Sequence, residues 1–267
     1  MRVLLISGYE LGHQPLAVAE PAAILRSRGH DVRCLDLSVE SWEPALATWA
    51  DKVGFSVPMH TAARLARSLT PAMACPVAWF GLYAAMGADI ATPLVDRDPT
   101  GALLRWVDPD AGTGSPGVRP ARDLLPGLDQ YAHLVVDGTE HTVAYTEASR
   151  GCAHRCRHCP VPVVYDGRIR INEVDQVLAD VAQQVDAGAT HLTFGDPDFL
   201  NGPHHAVRVV RAVNDAFPDL TFDCTVKVEH ILRHSDLWGE LAARGCVFVV
   251  SAFESVNDAI LERLDKG

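Results

Sequence analysis

Short apolar runs rich in β-branched residues alternate with stretches of helical periodicity toward both ends of this 267-residue chain. In the first hundred residues VLLIS (Val3 to Ser7), DVRCLDLS (Asp31 to Ser38), KVGFSVPM and PVAWFGLYA read as strands. PLAVAEPAAILRSRG closes on Gly29 and reads as a helix, and two more are expected around Ser41 to Trp49 and from Thr61 to Leu69. Such alternation predicts a parallel sheet covered on both faces, so residues 1–100 are expected to form a doubly wound α/β domain. Between Ala88 and Thr142 the periodicity fades and Pro, Gly and Asp accumulate. Residues 101–141 are therefore expected to be a linker, with one or two short strands at its end.

Alternation resumes at Thr142. TVAYTEAS, HLTFGDPD, TFDCTVKV and CVFVVSAFE read as strands, separated by the helical stretches INEVDQVLADVAQQVDAG, PHHAVRVVRAVNDAF and SDLWGELAARG, with a last helix in VNDAILERLDKG. The whole is α/β, and residues 142–267 are expected to supply four βα units of a partial (β/α) barrel. A parallel sheet that stops after its fourth strand leaves an unpaired edge, so the pattern reads as the N-terminal part of a longer protein.

Charge and composition narrow the function. Lys plus Arg number 23 and Asp plus Glu 34, a net charge of −11 that disfavours a general nucleic-acid binder. No stretch approaches the ~20 apolar residues of a membrane helix. MRVLLISGYE reads as a buried strand rather than a signal peptide, which places the protein in the cytoplasm. The seven cysteines are odd in number and mostly isolated, as reduced thiols are.

Three of them are not isolated. Cys152, Cys156 and Cys159, in GCAHRCRHCP, stand at C-x3-C-x2-C spacing directly after the first barrel strand. Three thiolates on one loop can converge on one metal centre. Zinc takes four protein ligands in structural sites, and His154 or His158 offers the fourth. A cubane iron–sulfur cluster also takes four ligands, and three thiolates leave one iron free for another molecule. The loop alone does not choose between them, but its place at the C-terminal end of a barrel strand is where such folds carry their chemistry.

The segment Cys152-Ala-His-Arg-Cys156-Arg-His-Cys159 resembles the signature of the radical S-adenosylmethionine (radical SAM) superfamily, and the similarity extends over Tyr145 to Gly267. The resemblance implies a [4Fe–4S] cluster on the three cysteines, with S-adenosylmethionine chelating the fourth iron. It also implies a role for Gly195-Asp196-Pro197, at the end of the second strand, in binding the methionine amino group. Thr225, Lys227 and Glu229, which alternate on one face of the third strand, match positions that meet the ribose or carboxylate. Glu254, followed by Ser255, matches a fourth-strand Glu-Ser pair, and His158 the position of a residue touching adenine. The implied activity is reductive cleavage of S-adenosylmethionine to a 5′-deoxyadenosyl radical that attacks a small-molecule or peptide substrate. The electron would come from a low-potential donor of flavodoxin or ferredoxin type.

The first hundred residues resemble the cobalamin-binding-like Rossmann domain joined to many radical SAM enzymes. The cobalt-ligating Asp-x-His-x-x-Gly motif is absent, and His13 has no aspartate two positions before it, which argues against cobalamin. YELGHQPLAVAEPAAILRSRGHDVRCLDLSVE, with the triplet, resembles a subgroup named for cysteine-rich C-terminal tails. That subgroup implies an alternative, transfer of the 3-amino-3-carboxypropyl group of S-adenosylmethionine to arsenic or a related acceptor. A second alternative is a non-catalytic, zinc-stabilised binding module. Cys34, Cys75, Cys224 and Cys246 are expected in the core, with the strand of Cys224 facing the site, and His204 and His205 on the surface. Tyr9, Glu10 and His13 form a polar loop at the edge where doubly wound sheets bind ligands.

Overall fold

In the computed structural model, which describes residues 1–110 and 118–266, the chain divides into two compact units, Met1–Tyr131 and Ala132–Gly267. The first is built on five strands, β1 (Arg2–Ser7), β2 (Asp31–Asp36), β3 (Lys52–Ser56), β4 (Val77–Phe80) and β5 (Thr92–Leu94). They lie in the order β2-β1-β3-β4-β5, and every neighbouring pair is parallel. The helices are α1 (Leu16–Ser27), α2 (Leu46–Trp49), α3 (His60–Leu69) and α4 (Pro99–Val107).

Alternation along β1 divides the core in two. Val3 and Leu5 pack with Val18, Ala22 and Leu25 of α1 and with Leu103, Leu104 and Val107 of α4. Leu4 and Ile6 pack on the other face with Phe55, Ala63, Ala66 and Trp79. Each fully buried aliphatic side chain contributes about 1.5–3 kcal/mol relative to exposure, so both faces must be covered. That is the doubly wound arrangement the sequence predicts.

The first unit runs to Tyr131 rather than to residue 100. Much of the expected linker is packed structure: α4 starts at Pro99, capped by Asp98, whose Oδ1 accepts from Gly101 N at 3.0 Å, and buries the side chains of Ala102, Leu103, Leu104 and Val107. Arg122, 7% exposed, donates to the Gln14 carbonyl at 2.9 Å. The apolar period here is only about two turns long, too short to register against the surrounding Pro and Gly. Residues 111–117 of that linker lie outside the described residues.

The second unit opens with an antiparallel hairpin, β6 (His133–Val136) and β7 (Thr139–Thr146), closed by Asp137-Gly138. Both turn residues have positive φ, 49° and 80°, as a two-residue type I′ turn requires. The remaining strands are β8 (Ser149–Gly151), β9 (Ile169–Ile171), β10 (His191–Phe194), β11 (Thr221–Thr225) and β12 (Cys246–Val250). Strands β7, β10, β11 and β12 are parallel neighbours in a sheet ordered β12-β11-β10-β7-β6. The helices are α5 (Val161–Tyr165), α6 (Val174–Asp186), α7 (Pro203–Ala216), α8 (Val228–Arg233), α9 (Trp238–Ala243) and α10 (Asp258–Leu264).

The register sorts this sheet into two faces. Tyr145, Thr193 and Asp223 stand side by side on one, and Thr146, Phe194 and Cys224 on the other. On the first face His191 is fully buried, with Nδ1 2.7 Å from Thr221 Oγ1 and Nε2 2.9 Å from Asp223 Oδ2. Cys224, fully buried, is thus on the face opposite Thr225, not on the face turned to the candidate site. The alternation expected for Thr225, Lys227 and Glu229 also fails: β11 ends at Thr225, Lys227 caps α8, and Glu229 lies in its first turn. A helical turn replaces the pleat there, so the three side chains no longer share a strand face.

Candidate active site

The site is assembled at the C-terminal ends of β7, β10 and β11. Chain leaving β7 passes through Glu147 and Ala148 into β8, which pairs antiparallel with β9 across Arg150 and Arg170. The cysteine loop and α5 therefore form an excursion whose two ends are tied together. Gly151 begins it with φ of 81°, and a Cβ there would stand 2.3 Å from the Arg168 carbonyl oxygen, so only glycine fits.

The loop is pinned from three sides. Arg157 N donates to the Leu264 carbonyl at 2.8 Å, and Cys159 N to the Cys156 carbonyl at 3.2 Å. Asn201 Oδ1 accepts from Ala153 N at 3.3 Å and faces Cys152 Sγ at 3.9 Å. Asp196, just past the end of β10, accepts from Ala148 N at 2.8 Å and from Ser149 N and Ser149 Oγ, both at 2.6 Å. Burial pushes its carboxyl up to about 7 despite these donors. Ala148 is held from the other side by His205, which is buried and has Nε2 3.2 Å from the Ala148 carbonyl. That corrects the surface position expected for His205: it is on the inner side of α7 and supports the loop.

Cys152, Cys156 and Cys159 line one cavity of about 190 Å³, together with Pro197, Thr225, Lys227 and Glu254. All three thiols are free. Burial raises the Cys159 thiol, and Cys152 and Cys156 nearby raise it further, since adjacent thiolates repel. Three free thiols lining one cavity fit a metal centre, which takes thiolates as ligands and whose positive charge would offset the repulsion felt at Cys159.

Around the thiols the charges are paired. Lys227 Nζ lies 2.9 Å from Glu229 Oε2 and 3.2 Å from His154 Nδ1. Glu254, at φ of 59°, meets Lys266 Nζ at 3.1 Å and His158 Nε2 at 3.3 Å. The Lys266 ammonium holds the Glu254 carboxyl below its ordinary value, and the hydrogen bond from Lys227 does the same for Glu229. Burial, and then the Lys227 charge, lower His154.

The structure thus brings Cys152, Cys156, Cys159, His158, Pro197, Thr225, Lys227 and Glu254 around one cavity. It does not bring three others there. Gly195 underlies Tyr145, whose hydroxyl oxygen would stand 2.0 Å from an added Cβ, the Asp196 side chain faces the loop backbone, and Glu229 turns to Lys227 and Arg233. Sequence reading missed Asp198, Asn201, His230 and Lys266. Asp198 is 2% exposed and His230 6%, and the polar residues closely following strand ends, Asp-x-Asp at 196–198 and Lys-x-x-His at 227–230, were the signals available.

Comparison with known proteins agrees with this geometry. Residues 146–267 match the Radical SAM superfamily. A ribosomal protein uS12 methylthiotransferase RimO from Alkalilimnicola ehrlichii is 38% identical over 76 residues, 27% of this chain and 16% of that protein. Among solved structures, the radical S-adenosylmethionine methyltransferase TsrM from Kitasatospora setae, with cobalamin and a [4Fe–4S] cluster bound, superposes with a TM-score of 0.67 at 16% identity. That match covers 97% of this chain and 60% of TsrM. The cobalamin-dependent S-adenosylmethionine radical enzyme OxsB gives a TM-score of 0.63 at 14% identity, covering all of this chain and 45% of OxsB. This chain therefore spans less than two thirds of the length of each of these relatives. With its three cysteines gathered at the C-terminal end of the first parallel strand of the second unit, the chain carries a radical SAM superfamily domain over residues 146–267.

Proposed function

We propose that this chain binds a [4Fe–4S] cluster through Cys152, Cys156 and Cys159, holds S-adenosylmethionine beside it, and cleaves that molecule reductively to start radical chemistry on a small-molecule or peptide substrate. The observation that carries this reading is the convergence of three free thiols on one cavity within the segment that matches the superfamily. The cluster, when bound, supplies the electron that splits a carbon–sulfur bond of S-adenosylmethionine.

The chain's own residues bind and orient. Lys227 offers an ammonium for a carboxylate, and Glu254 an acceptor for a hydroxyl or ammonium group. Thr225 and Pro197 line the same cavity, and His158 lies there beside Glu254. Asp196 acts through the backbone, fixing Ala148 and Ser149, and Glu229 acts through Lys227. The partner implied is a low-potential electron donor of flavodoxin or ferredoxin type. No helix among the described residues is long and apolar enough to cross a membrane. A cytoplasmic location, where free thiols stay reduced, suits the chemistry.

The first unit has a fold like that of structures that include cobalamin enzymes. Because His13 lacks the aspartate of a cobalt-ligating motif, we propose that this unit carries no histidine-ligated cobalamin.

The test is electron paramagnetic resonance of the anaerobically reconstituted, dithionite-reduced protein with and without S-adenosylmethionine. A [4Fe–4S]⁺ signal that shifts on addition supports the reading. No such signal, with zinc that is retained by the chain and lost when Cys152, Cys156 and Cys159 are replaced by alanine, would make the triplet a structural knuckle.

A further inference from the structure

Beside the thiols lies a second convergent donor set that the cluster reading leaves unused. His154 on the cysteine loop, Asp198 after β10 and His230 on α8 place three donor atoms within 4.8 Å of one another. His230 Nδ1 is 2.8 Å from Asp198 Oδ2, and His154 Nε2 is 3.7 Å from the same oxygen. At those distances a histidine–aspartate network would normally aim its N–H groups at the carboxylate. Here none of the three atoms has a partner in hydrogen-bonding orientation, although Asp198 and His230 are 2% and 6% exposed. An unpartnered buried polar atom has lost its hydration with nothing in exchange, and three such atoms at one point call for a common partner. The imidazole rings, 4.9 Å apart and inclined at 50°, do not stack to provide an alternative.

A cation at the centre satisfies all three lone pairs at once. A tetrahedral ion with bonds of about 2.1 Å spaces its donors roughly 3.4 Å apart, within the range found here. Two imidazoles and a carboxylate are the ligands of first-row divalent ions such as Zn²⁺ and Fe²⁺, not of Mg²⁺ or Ca²⁺, which take oxygen. Three protein ligands leave a fourth position open, as in sites that act on a bound molecule.

We propose that His154, Asp198 and His230 bind one first-row divalent metal ion, separate from the thiol-ligated centre, at the wall of the candidate active site. Ligation through His154 Nε2 moves the imidazole proton to Nδ1. Lys227 then gives up His154 and keeps Glu229, which it already meets at 2.9 Å. The second ligand shell is present: Asp198 Oδ1 faces Lys227 N at 3.4 Å, which orients the carboxylate.

The experiment is anaerobic titration of the full cluster-loaded chain with Zn²⁺ against a chromophoric chelator, alongside total metal analysis. It is repeated on the full chain with Cys152, Cys156 and Cys159 all replaced by alanine, which isolates this site whether or not the cluster reading holds. The expected result is one equivalent of Zn²⁺ bound in both proteins, weakened at least about 10-fold by His154→Gln and by His230→Gln. Should His230→Gln fail to fold, His154→Gln, on a loop, decides by itself. Absence of Zn²⁺ binding outside the thiols, or an affinity unchanged by His154→Gln, overturns the proposal.

Discussion

Replacing Asp196 by asparagine tests the tie between β10 and the cysteine loop. Burial lifts this carboxyl from an ordinary 3.8 to about 7, against three hydrogen bonds that favour the anion. The folded chain therefore keeps the proton to higher pH than the unfolded chain does. The stability this contributes is full below about pH 4 and is lost as pH rises toward 7. Each pH unit inside that window is worth about 1.4 kcal/mol, and the roughly three units amount to about 4 kcal/mol. Asparagine cannot ionise, so Asp196→Asn loses the slope while keeping the shape. Urea unfolding of the second unit can be followed by pulsed alkylation of Cys224, which is fully buried; comparing the same thiol in both proteins cancels the pH dependence of the reagent. The stability difference, wild type minus variant, should fall by about 1.4 kcal/mol per unit from pH 5 to 7 and level off above pH 8. Parallel pH curves would refute the reasoning.

Three further outcomes follow from the same contacts. Cys156→Ala should abolish the broad visible absorption and bound iron of the reconstituted chain while leaving its far-ultraviolet circular dichroism unchanged; a full iron complement in the variant would remove that thiol from the centre. Gly195→Ala forces a Cβ to within 2.0 Å of the Tyr145 hydroxyl oxygen, an overpacking that costs about 1–3 kcal/mol. In the Tyr145→Ala background the same change should cost markedly less, and an additive double-mutant cycle by urea unfolding would contradict the contact. Equilibrium dialysis against hydroxocobalamin should leave the first unit without bound corrinoid, and one equivalent retained, with an absorption spectrum showing imidazole on cobalt, would overturn the expectation drawn from His13.

What the sequence by itself determined is what depends on near neighbours in the chain. The alternating runs that became β1, β3, β4, β7, β10 and β11 each bury apolar side chains, so their period survives in one dimension, whereas β12 is legible as an apolar run although Val247, Phe248 and Val250 are exposed. The cysteine triplet is equally local: C-x3-C-x2-C fits within one loop, and the strand before it is visible. Less legible were elements shorter than their own period. Three-residue β8 and β9, which close the cysteine excursion, and four-residue α2 offer no repeat to detect, and α4 hides its two turns among Pro and Gly.

Only the tertiary structure decided which distant residues share a point. Lys227 and Glu229 look alternate in sequence, but the chain turns helical at Val228, so one lines the cavity and the other supports it. Asp196 looks like a turn residue and is a buried clamp on Ser149; His205 looks like a surface residue and holds Ala148. His154, Asp198 and His230 come from a loop, a strand end and a short helix, and nothing in their spacing joins them. Local period reports which side of an element is apolar, because burial is set along the element itself. Convergence of polar atoms is set by strand order and register, which the hydrophobic effect chooses for the sheet as a whole.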